Sequence, residues 1–102
     1  MKIIQDNINR IIDLCKKYHI ITLWVFGSIL TPRFSKESDV DFLVEFDRSK
    51  IDLLDMADVF FGFMEEMESL LNRKIDLVEY NAIKNKYFKA EIDQTKHLLW
   101  TA

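Results

Sequence analysis

The sequence predicts an α+β fold, a small mixed β-sheet packed by helices, on three observations. Short β-branched and aromatic runs recur along the chain. Apolar residues at helical spacing lie between them. Only 2 Gly and 1 Pro interrupt its 102 residues. Apolar residues make up 49% and charged residues 30%, the composition of a folded chain rather than a disordered one. A length of 102 residues fits one domain, 1–102, with a modest core.

Taken in order, Ile4, Ile8, Ile11, Ile12 and Cys15 recur at spacings of three and four, predicting an amphipathic helix that ends near His19. "IITLWVF" reads as a buried strand stopped by Gly27. "TPRFSKES" is a polar loop in which Pro32 ends any helical turn begun at Ser28. "DVDFLVEF" is a second strand, with Val40, Phe42, Val44 and Phe46 facing the core and Asp39, Asp41 and Leu43 on the other face. "IDLLDMADVFFGFMEEMESLLN" is a long helix with Asp52 in its first turn or at its cap. "KIDLVEY" is a third strand, "AIKNKYFKAEIDQ" a last helix and "HLLW" a short fourth strand.

The long helix carries more apolar surface than one-sided burial needs. Leu53, Ala57, Phe60, Met64, Met67 and Leu71 form one stripe, and Met56, Val59, Phe63 and Leu70 a second beside it. With Leu54 and Phe61 the arc spans roughly 220°, against the ~100° of a surface helix. Either the helix is sandwiched within the fold, or residues 52–72 serve a homo- or hetero-oligomer interface.

The net charge of -3 gives no broad footprint for nucleic acid. Cys15 is alone, so no internal disulfide forms. No apolar segment is long enough for a membrane, and "MKIIQDNINR" turns polar too soon for a signal peptide. A soluble, cytoplasmic chain is the expectation.

The chemistry concentrates between Gly27 and Asp76. Asp39 and Asp41, two apart on a strand, project together, and such carboxylates raise one another's pKa. They are either solvated residues at the start of a strand or a seat for a divalent cation such as Mg²⁺. Gly27 and Ser28 follow a strand directly, where backbone amides and a hydroxyl can hold phosphate oxygens, although an ordinary turn looks the same. Asp76 interrupts an apolar strand between Ile75 and Leu77. A carboxylate there needs a partner. That partner is either a lysine such as Lys74 or the metal site of the other two acids.

Together, "FGS", "SDVDFLVEF" and "RKIDLVEY" resemble the minimal nucleotidyltransferases of the DNA polymerase β superfamily, over nearly the whole chain. The resemblance implies transfer of a nucleoside monophosphate from a triphosphate to a hydroxyl, with release of pyrophosphate. It implies that Gly27 and Ser28 hold the triphosphate. Asp39 and Asp41 would bind Mg²⁺, and Asp76 would complete the metal site and act on the acceptor hydroxyl. Chains this short look like the antitoxin half of HEPN/MNT toxin–antitoxin pairs. That likeness implies ATP as substrate, a HEPN ribonuclease toxin as partner and AMP placed on a tyrosine of it, or a contact-only antitoxin with a vestigial site. Relatives often carry basic residues just after Gly-Ser. Here the stretch is Ile29, Leu30, Thr31, Pro32, and Arg33, Lys36 and Lys74 are the nearest replacements. That departure implies weaker nucleotide binding or a slower enzyme.

Overall fold

Two helices open the chain where the apolar spacing predicts one. In the computed structural model, which describes residues 1–102, α1 spans Lys2–Gln5 and α2 spans Ile8–Lys17. The break falls at Asn7, whose side-chain amide donates to the Ile3 carbonyl at 2.8 Å. A side chain that bonds back to the backbone competes with the helical ladder. Ile4, Ile11 and Cys15 keep the predicted buried face. His19, at φ 57, turns the chain out of α2 and is an exposed residue at the helix end.

Four strands follow in one sheet of order β3-β2-β1-β4: β1 Ile20–Phe26, β2 Val40–Phe46, β3 Ile75–Glu79 and β4 His97–Thr101. β1 runs antiparallel to both β2 and β4, whereas β2 and β3 are parallel. A parallel neighbour needs a long crossover, and α3, Met56–Leu71, supplies it. α3 starts later than its apolar pattern suggests. Leu53–Asp55 is a separate 3-10 turn, and the Asp52 side chain makes no cap bond. Leu53 therefore leaves the predicted stripe and stands 82% exposed. α3 ends at Asn72, held in the left-handed region at φ 50, a conformation asparagine tolerates at a helix C-terminus.

The main core lies between one sheet face and α2 and α3. Leu23, Val25, Val40, Phe42 and Val44 meet Ile11, Cys15, Phe63, Met67 and Leu71 there. Burying each large apolar side chain contributes about 1.5–3 kcal/mol. Gly62 lets α2 approach α3, since a Cβ at that position would lie 2.9 Å from the Tyr18 ring. The Tyr18 ring sits edge-on to Phe63 at 5.9 Å, and both its hydroxyl and Lys17 reach Glu66. Both readings of the long helix thus hold in part: its C-terminal half is sandwiched, while Leu53, Leu54 and Phe61 face outward before and on its first turns.

α4, Lys86–Thr95, covers the opposite sheet face. Asn85 caps it, its side chain accepting from the Tyr87 and Phe88 amides at 2.9 and 3.1 Å. Phe88 packs on Phe26, and Ile92 is buried. β4 then closes the edge beside β1, where the buried Thr22 hydroxyl meets that of Thr101 at 3.3 Å.

Burial pushes the Cys15 thiol up to about 12. The thiolate is the reactive species, so iodoacetamide at neutral pH is expected to leave Cys15 unmodified in the folded chain and to alkylate it in guanidinium. Alkylation at equal rates in both states would show that α2 does not pack as described.

Candidate active site

The strand register places two of the three acids side by side. Phe26 pairs with Asp41 across β1 and β2, and Asp41 pairs with Asp76 across β2 and β3. Paired residues on adjacent strands project from the same face, and the strands lie about 4.8 Å apart. Asp39 is not a strand residue as predicted, because β2 begins at Val40. It stands two residues ahead of Asp41, roughly 7 Å along the extended chain, close enough for its charge to act on Asp41. Asp39 and Asp76 are exposed, while Asp41 is partly buried between them.

The turn after β1 closes over Asp41. Gly27–Leu30 is a 3-10 turn entered at Gly27 with φ +77, a left-handed conformation in which a side chain is strained. A Cβ on Gly27 would lie 2.2 Å from Asp41 Oδ2. The glycine therefore does two things: it makes the reversal and it admits the carboxylate. Pro32 follows the turn as predicted, and Thr31 closes it, its hydroxyl donating to the Ser28 carbonyl at 2.8 Å.

This geometry sets the charge state of Asp41. Burial pushes its carboxyl above the usual carboxylate range, and the negative charges of Asp76 and Asp39 push the same way. The Ser28 backbone amide, directed at the carboxylate, pulls it back down. Asp76 sits on an edge strand, as one reading of its sequence position suggests, yet neither Lys74 nor any other base pairs with it. The result is a cluster of three acids without a protein cation, beside a turn of outward amides.

No three acids or imidazoles close on a point as a ready-made metal cage. Mg²⁺ does not need one, since it takes one or two carboxylates and completes its octahedron with water and phosphate oxygens. All-oxygen donors, mutual repulsion and an open side next to Gly27 and Ser28 fit that ion. Arg33 and Lys36 lie exposed on the 31–39 loop, and their side chains form no ion pair with the acids. Lys74 contributes its carbonyl to the β2–β3 pairing, accepting from Val40 at 3.2 Å.

Arg73 is the residue that sequence reasoning missed. Its guanidinium donates to the carbonyls of Ser35 and Ser38 at 2.8 and 2.9 Å and stacks on Phe34 at 4.6 Å. It ties the loop carrying Asp39 to the turn that leads into β3 and Asp76. Nothing in "LNRKIDL" signals this, because both partners are backbone groups of a distant loop. Phe26 and Phe88, which face each other beside Gly27, were also read only as parts of a strand and a helix.

The chain's relatives share this arrangement at the level of family and fold. A family model described as polymerase beta, nucleotidyltransferase matches residues 9–102. A candidate protein adenylyltransferase of Methanocaldococcus jannaschii is 37% identical over 81 residues, covering 79% of this chain and 78% of that protein. A toxin–antitoxin structure with AMP-PNP superposes with a TM-score of 0.71 at 20% identity, covering 94% of this chain and 74% of the other. The complex of a tri-AMPylated Shewanella oneidensis HEPN toxin with its MNT antitoxin gives a TM-score of 0.65 at 20% identity, over 96% and 72% of the two chains. With a family match over nearly its whole length and with Gly27, Ser28 and the three acids in one cluster, this chain belongs to the polymerase beta nucleotidyltransferase family.

Proposed function

We propose that the chain is a Mg²⁺-dependent protein adenylyltransferase of the antitoxin type, moving AMP from ATP to a tyrosine hydroxyl of a HEPN ribonuclease toxin. The observation that carries this is Asp41, flanked by Asp39 and Asp76 and overlaid by the Gly27–Ser28 turn. The kinship to a candidate protein adenylyltransferase, and the shared fold with an MNT antitoxin bound to an AMPylated HEPN toxin, support the acceptor class.

The reaction forms a bond from the acceptor oxygen to the α-phosphorus and breaks the bridge to the β-phosphate, so pyrophosphate leaves. The Gly27 and Ser28 amides would hold the β- and γ-phosphates, with Arg33 and Lys36 as the nearest cations along the loop. Asp39 and Asp41 would hold Mg²⁺, which when bound supplies positive charge to the phosphates. Asp76, exposed and without an ion-pair partner, would complete the metal site and take the acceptor proton.

A second reading, neutralisation by contact alone, is favoured by one observation: Leu54 is 94% and Phe61 53% exposed at the start of α3. One experiment separates the two. The chain is incubated with Mg²⁺-ATP and a HEPN toxin encoded beside it, and the toxin is weighed by mass spectrometry and assayed for ribonuclease activity. Catalysis predicts a gain of AMP on a toxin tyrosine, lost with Asp39→Asn and Asp76→Asn together with neutralisation. Contact alone predicts no added mass, neutralisation by both Asp variants, and failure only with Phe61→Ser. AMP addition undiminished in both Asp variants would overturn the site assignment.

A further inference from the structure

A groove of about 540 Å³ opens between the Gly27 turn and α4, outside the three acids. Phe26 and Leu30 wall it on one side, and Phe88 and Ile92 on the other, with Gly27 at one end. The Phe26 and Phe88 rings meet edge to face, 6.5 Å apart at 75°. Phe88 nevertheless leaves 39% of its surface to solvent, and Leu30 leaves 37%. Such a wall, apolar, aromatic and open, fits a planar ring, and its volume lies in the usual range for a small-molecule site. Glu91 lines the same groove with a carboxylate not engaged in any ion pair. An ionised carboxylate only accepts hydrogen bonds, so it suits a ring bearing N–H donors.

We infer that this groove receives the nucleobase of the triphosphate, stacked on Phe88, with Glu91 accepting from the base's N–H groups. The inference rests on the nucleotidyltransferase reading and goes beyond it by naming where the nucleoside lies. Position argues for the base and against the acceptor tyrosine. Phosphoryl transfer proceeds in line, with nucleophile and leaving group on opposite sides of the reacting phosphorus. The groove touches Gly27, on the side of the leaving pyrophosphate, so the acceptor must approach from elsewhere. A nucleoside is tethered to the same phosphates and reaches a groove that shares Gly27 with them.

The test compares Mg²⁺-ATP with Mg²⁺-tripolyphosphate, which has the phosphates and no base, by titration calorimetry on the full chain. The parent chain is expected to bind ATP about tenfold more tightly than tripolyphosphate, the gain one aromatic stacking contact provides. Phe88→Ala is expected to erase that difference while leaving tripolyphosphate affinity unchanged, which also shows that the variant is folded. Phe88→Tyr is expected to keep the difference. If Phe88→Ala binds tripolyphosphate normally and still prefers ATP tenfold, the base lies elsewhere and the inference fails alone. If the parent chain binds neither ligand, the inference and the nucleotidyltransferase reading fail together.

Discussion

Asp41→Asn is expected to lower AMP transfer by at least ~100-fold while leaving the melting temperature in metal-free buffer equal to the parent's or higher. The two effects have one cause. Asp41 is partly buried, and the charges of Asp39 and Asp76 act on it with no protein cation to offset them. Removing its charge removes a repulsion, and asparagine keeps an oxygen that accepts from the Ser28 amide. The same charge is what would hold a divalent cation, and metal-based stabilisation of the transition state amounts to several kcal/mol, at about 1.4 kcal/mol per tenfold in rate. A ligand that binds only the folded state raises its stability. Mg²⁺ with tripolyphosphate should therefore raise the parent's melting temperature and leave that of Asp41→Asn unmoved. A variant that melts lower in metal-free buffer would show that the carboxylate is a structural hydrogen-bonding group rather than a cation seat. A variant that keeps the parent's rate would remove Asp41 from the mechanism.

Gly27→Ala is expected to damage both stability and transfer. At φ +77 a side chain meets left-handed strain of about 1–2 kcal/mol. The new methyl would also lie 2.2 Å from Asp41 Oδ2 and 3.1 Å from its Cγ. Either the turn or the carboxylate must move, and both belong to the site. Strain alone should lower the melting temperature by about 4 °C or more in a chain this size. Transfer should fall with it, because the turn's amides shift relative to Asp41. The double variant Gly27→Ala/Asp41→Gly distinguishes the two causes. It relieves the clash and keeps the strain, so it should recover part of the stability and none of the transfer. A single variant that melts and reacts like the parent would mean that the turn does not close on Asp41.

These predictions draw unequally on sequence and structure. The four strands, the long helix, the last helix and the loop ended by Pro32 were legible because their signals are local: alternation, helical spacing and breakers. The errors were local too. The Asn7 side chain splits the first helix, and the Leu53–Asp55 turn takes the beginning of the third, since a short polar side chain or a tight turn competes with a helix on equal terms. Asp39 and Asp41 could be assigned to one face from their spacing alone. The groove between Phe26 and Phe88 could not be read, because each ring is accounted for by its own element.

The sequence by itself determined which residues can do chemistry here: three acids and a glycine–serine turn, with strand alternation deciding which way two of the acids point. Tertiary structure alone decided that they form one site. Asp41 meets Asp76 through the parallel register of β2 and β3, and it meets Gly27 through the antiparallel register that pairs it with Phe26. Arg73 holds the intervening loop by backbone carbonyls that any sequence would offer. Register and loop docking depend on contacts between residues far apart in the chain, and a periodic pattern within one segment carries no information about its neighbour's offset.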